Sequence, residues 1–68
     1  MPYNELEVYV TSCHPEAWDL SGQLALAQCR NHIDWKIDRN GNPFYVVVLE
    51  SSDALDRART VRRKMFGS

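Results

Sequence analysis

Two cysteines, Cys13 and Cys29, are too few for a disulfide scaffold, so packing has to hold this chain together. No apolar run approaches the ~20 residues that a membrane span requires. The opening stretch, MPYNELEVY, has neither the basic start nor the apolar core of a secretory leader, which predicts a reducing, cytoplasmic setting. The only glycines are Gly22, Gly41 and Gly67, and none opens a glycine-rich turn before a helix, so the sequence offers no phosphate loop. Repeats, low-complexity segments and linkers are missing too, and 68 residues predict a single domain, 1–68.

What is there is ordinary for a globular α/β domain: 44% apolar and 25% charged residues. A chain of this size buries only roughly 60% of the surface its unfolded form exposes, and small domains often gain stability from a second copy of themselves. Charge is unevenly spread. Residues 1–35 carry five acidic side chains against Arg30 alone, whereas residues 36–68 carry seven Lys/Arg against four acidic groups.

LEVYVT (6–11) alternates, with Leu6, Val8 and Val10 set against Glu7, Tyr9 and Thr11, and predicts a half-buried strand. HPEAWDLSGQLALAQCRNH (14–32) has helical spacing. Ala17, Leu20, Leu24 and Ala27 share one face, Trp18, Ala25 and Cys29 extend it, and Pro15 suits the first turn. Gly22 is the weak point of that helix, at about 1 kcal/mol relative to Ala. In DWKIDRNGNPFYVVVLE (34–50), Asn40-Gly41 between two β-like runs predicts a hairpin with a type I′ turn. Its second arm, FYVVVL, is apolar at every position, as a central strand covered on both faces requires. SSDALDRARTVRRKMF (51–66) predicts an amphipathic helix capped at Ser52 or Asp53, with Ala54, Leu55, Ala58, Val61 and Met65 as its buried stripe.

The resulting order is β-α-β-β-α. A hairpin makes strands two and three antiparallel neighbours, and a central third strand forces the first strand to its other side. The predicted fold is an α+β two-layer sandwich: a three-stranded antiparallel sheet of order 1-3-2 with two helices on one face. This is a partial split βαβ, ferredoxin-like unit. Its second sheet face is left open.

Cys13 follows a strand and stands at a helix start, where a thiolate would be stabilised. VYVTSC resembles the way glutaredoxins and other thioredoxin-like proteins present their redox thiol, and HIDWKID is similar to the second strand of small members. That resemblance implies a thiol protein working through Cys13. The sequence departs from it at Glu16, where the family's Cys-x-x-Cys motif has its second thiol. Zinc is disfavoured, because sixteen residues of continuous helix would hold Cys13 and Cys29 about 24 Å apart. His14 and His32, at the two ends of that helix, have no partner for acid–base chemistry. The expectation is a protein that is not an enzyme and carries no metal or cofactor.

The basic run near the C-terminus places Arg59, Arg62 and Arg63 on one side of the last helix, a surface for acidic partners or nucleic acid. Tyr9, Tyr45 and Val47 are expected on the open sheet face, where aromatic and aliphatic groups form the dry centre of an interface. The function expected from these features is a small binding or regulatory protein that occupies a partner protein's surface. Self-pairing through the open sheet face or an edge strand is the further expectation. A nucleic-acid module using the last helix and the Cys13 thiol protein are the alternatives.

Overall fold

The structure, a computed structural model, describes residues 6–67. The leader reading above rests partly on residues 1–5, which lie outside the described residues. Strand β1 (Glu7–Thr11) leads to helix α1 (His14–Leu26). Strands β2 (Asn31–Ile37) and β3 (Pro43–Leu49) form a hairpin, and a short 3-10 turn (Ser52–Ala54) leads into helix α2 (Leu55–Phe66). The sheet has the order β1-β3-β2 and both pairings are antiparallel. Helix α1 lies over β3 and β2, and α2 lies over β1. This is the expected two-layer α+β arrangement.

β3 is central because its apolar run can be covered from both sides. Val46, Val47, Val48 and Leu49 are all buried. Val47 and Leu49 join Val8, Ala17, Leu20, Leu24, Cys29 and Ala58 in the core beneath the helices. Val46 and Val48 lie on the opposite face, 2% and 6% exposed. The Lys36–Glu7 ion pair (3.8 Å) joins β2 to β1 above that face. Neither described helix packs on that second face, which stays open as expected, with the Lys36–Glu7 pair flanking its two buried valines.

β1 departs from its apparent alternation. Glu7 is opposite Val48, but Tyr9 is opposite Val47, so one residue is inserted between them. This β-bulge turns both Val8 and Tyr9 towards the helices and carries Val10 to the other face. Val8 is 7% exposed and Val10 56%.

Helix α1 runs unbroken through Gly22 but ends at Leu26, six residues before the predicted end. Gln28 takes a left-handed conformation (φ 63°), and the Cys29 amide donates to the Leu24 carbonyl at 2.8 Å, closing the helix in a Schellman-like cap. Buried Cys29 plugs the corner that its helical spacing had suggested as a helix edge. Asn31 fixes the turn: its Nδ2 donates to the Cys29 carbonyl (2.9 Å) and its Oδ1 accepts from Ser21 Oγ (2.6 Å). β2 therefore starts at Asn31, and His32 belongs to a strand.

The hairpin also differs from the two-residue type. Asp38 N–H donates to the Asn42 carbonyl and Gly41 N–H to the Asp38 carbonyl (2.9 and 3.0 Å). Gly41 alone of the turn residues has positive φ, +85°. That is a three-residue loop, a β-turn followed by a left-handed glycine. Asp38 Oδ1 accepts from the amides of Asn40 and Asn42, each at 2.9 Å, and holds the turn. Neither Ser52 nor Asp53 caps the last helix: Ser51 Oγ accepts from the Asp53 amide at 3.2 Å and caps the 3-10 turn, and α2 starts from Ala54 with no side-chain cap.

Candidate functional site

The residues expected on the open sheet face are not there. Val47 is fully buried beneath α1, and Tyr9 and Tyr45 are half-buried against the same core. The bulge put Tyr9 on the helix side, and pairing in register put Tyr45 and Val47 there with it. Tyr9 works as a structural link. Its hydroxyl donates to Glu16 Oε1 (3.1 Å), which also accepts from Thr11 Oγ1 (2.9 Å), and its ring stacks on Phe66. Burial is the main cause that raises the Tyr9 phenol above its ordinary value, with the hydrogen bond and charge of Glu16 adding to it. Tyr45 meets the His14 ring edge-on, centroids 5.0 Å apart.

The basic residues of α2 differ in their exposure. Arg57 donates to the Ala27 carbonyl (3.1 Å), tying the two helices together. Arg62 is half-buried, its Nε enclosed without a hydrogen-bond partner among the described residues. Arg59, Arg63 and Lys64 remain exposed. Cys13 is exposed and free, and its amide donates to Thr11 Oγ1 (3.0 Å). Glu16 in the adjacent turn is occupied by Tyr9 and Thr11. Cys29 is free and buried. Among the described residues no group of three or more His, Cys, Asp or Glu could hold a metal ion, and no helix is long and apolar enough to cross a membrane.

A different surface stands out. Trp18 is 62% exposed, Trp35 61% and Ile37 54%. Ile33, Trp35 and Ile37 recur at every second position of β2 and so share the helix-side face of the sheet. Trp18, Ser21, Gly22 and Ala25 lie on the flank of α1 and, with Ile33, line a shallow groove of ≈390 Å³. His14 sits between Trp18 and Tyr45. Its ring lies 5.0 Å from that of Trp18 and 5.0 Å from Tyr45, and Tyr45 is paired in register with Trp35. The result is a continuous aromatic and aliphatic margin along the outside of the α1–β2 layer.

This margin coincides with a strand edge. β2 has a neighbour on one side only. The Glu50 amide donates to the Arg30 carbonyl (3.0 Å) and the Asp38 amide to the Asn42 carbonyl (2.9 Å), bracketing the hairpin ladder at both ends. Because hydrogen-bonded pairs alternate along an antiparallel ladder, His32, Asp34 and Lys36 direct their main-chain groups to β3. Ile33, Trp35 and Ile37 direct theirs outward. The residues with exposed apolar side chains are the ones that offer backbone donors and acceptors.

The sequence contained part of this signal. From residue 31 onward, NHIDWKI alternates with period two, and that alternation places Ile33, Trp35 and Ile37 together. Trp18 was unforeseeable as part of it, since helical spacing assigned it to the buried edge of α1. No protein-family model, curated protein or solved structure matches this chain.

Proposed function

We propose that this chain is a small non-catalytic binding domain that acts by occupying a protein surface, with the α1–β2 margin as its contact. One observation carries the reading: two tryptophans and an isoleucine, each more than half exposed, flank a strand edge whose main chain points outward. Soluble domains rarely present such an apolar patch except at interaction sites, and Trp is strongly enriched among residues that dominate binding energy. An outward strand edge adds a template for main-chain hydrogen bonds, so both affinity and register are available on one surface. The margin replaces Tyr9, Tyr45 and Val47 as the contact surface; Arg59 and Arg63, exposed on α2, lie on a different element and are left as solvated charges.

The test is affinity capture with tagged wild type and with Trp35→Asp, each with and without nuclease. A protein retained by the wild type, lost with Trp35→Asp and indifferent to nuclease supports the reading. Retention that depends on nucleic acid, or that survives Trp35→Asp, overturns it.

A further inference from the structure

The β2 edge is complementary to itself in one register, and we infer that its occupant is a second copy of this chain. The inference rests on the docking surface proposed above and names its partner. Two β2 edges related by a two-fold axis must meet antiparallel, and outward-pointing residues must face outward-pointing residues. That restricts the registers to steps of two.

With the axis through Trp35, Trp35 faces the partner's Trp35, and Ile33 faces the partner's Ile37. On the opposite sheet face, Asp34, 3.5 Å from His32 of its own strand, meets the partner's Lys36, and Lys36, which in the single chain reaches Glu7 at 3.8 Å, turns from it to meet the partner's Asp34. At the margin His32 faces the partner's Asp38. Both Asp–Lys pairs are of opposite sign, His32 meets an acidic residue, and each of Ile33, Trp35 and Ile37 meets another apolar residue.

Neighbouring registers lack this property. One step in one direction sets Asp34 against the partner's Asp34 and His32 against the partner's Lys36. A further step sets Arg30 against the partner's Lys36. One step the other way opposes Lys36 to the partner's Lys36 and Asp34 to the partner's Asp38. Like charges directly opposite across strands are destabilising, whereas opposite charges and aromatic pairs contribute about 0.2–1 kcal/mol each. Charge thus selects the register that also centres the tryptophans.

Strand pairing alone falls short of the roughly 1,000 Å² that a specific interface buries. The helix layer supplies the rest. A two-fold axis perpendicular to the sheet keeps both α1 helices on the same face, one over each side of the new junction. The α1 flank turned towards that junction carries Trp18, Gly22 and Ala25. Gly22 has nothing within 4 Å of where a Cβ would stand, so the backbone there is open to close approach. The product is a continuous six-stranded sheet with four helices on one side.

Sedimentation equilibrium of the wild type and of charge variants tests this. The wild type is expected to dimerise. Asp34→Lys and Lys36→Asp should each weaken self-association roughly tenfold, because each converts two attractive cross-strand pairs into repulsive ones. An equimolar mixture of the two variants should recover a heterodimer, and the double variant should recover the homodimer. Recovery in the mixture also shows that the single variants are folded. A wild type that stays monomeric at about 1 mM overturns the inference. So does a dimer indifferent to both charge variants. If that indifferent dimer is dissolved by Trp35→Asp, the surface stands and only the register falls. A monomeric wild type whose captured protein is lost with Trp35→Asp likewise leaves the surface standing with a different occupant. A monomer unaffected by Trp35→Asp in both experiments removes the surface as well.

Discussion

Tyr9 and Phe66 lie ring on ring, centroids 4.6 Å apart and 4° from parallel. One belongs to the first strand and the other to the last turn of the last helix, so the contact closes the fold between its ends. Phe66→Ala should cost about 2 kcal/mol through lost burial and stacking. Tyr9→Phe keeps the stack and loses the bond to Glu16, and should cost about 1 kcal/mol. Urea denaturation of both variants measures the difference.

The same tyrosine makes stability fall in alkali. Burial, reinforced by the Glu16 hydrogen bond and charge, holds its phenol above the usual value of 10.0. The folded state therefore keeps this proton where the unfolded chain has begun to release it. That contribution is complete below about pH 10 and is lost as pH rises through the folded value. As pH rises above about 10, wild type should lose stability faster than Tyr9→Phe, and thermal melts at increasing alkaline pH read the gap.

Two glycines should answer oppositely to the same substitution. An added Cβ meets nothing within 4 Å at either Gly22 or Gly41, so backbone conformation alone decides. Gly22 is mid-helix, and Gly22→Ala should stabilise the monomer by about 0.5–1 kcal/mol. Gly41 has φ +85°, and Gly41→Ala should destabilise by about 1–2 kcal/mol. Melting temperatures at low protein concentration should move in opposite directions.

The two faces of the sheet can be separated by charge. Val47→Asp places a carboxylate at a fully buried position and should leave the chain unfolded, while Val10→Asp, at a position 56% exposed, should fold normally. Circular dichroism of the pair distinguishes these outcomes. Equal tolerance at both positions would contradict the face assignment.

The strand order was legible because FYVVVL is apolar throughout, and only a strand flanked on both sides and covered on both faces needs that. The same property hid the faces. A run without polar positions carries no parity, so nothing in 44–49 said which residues point at the helices. β1 could have supplied the parity, but its bulge leaves LEVYVT looking regular while reversing Tyr9 and Val10. Those two facts together put Tyr9, Tyr45 and Val47 on the wrong side. The end of α1 was missed for another reason: Cys29 is buried at helical spacing from Ala25, yet it fills a corner beyond a left-handed Gln28. The stripe of the last segment was legible but for Phe66: Ala54, Leu55, Ala58, Val61 and Met65 keep one period and all pack on the core, while Phe66 joins them off that period by stacking on Tyr9.

The bulge at Val8 also sets a limit on growth. A sheet with two regular edges can recruit neighbours at both and propagate as a ribbon. Here β1 is short and kinked, and its irregular spacing offers no continuous ladder to an incoming strand. Only β2 is regular along its length. With self-association proposed at the β2 edge alone, the particle would be monovalent: once that side is filled, raising the concentration would add more closed particles and never longer ones.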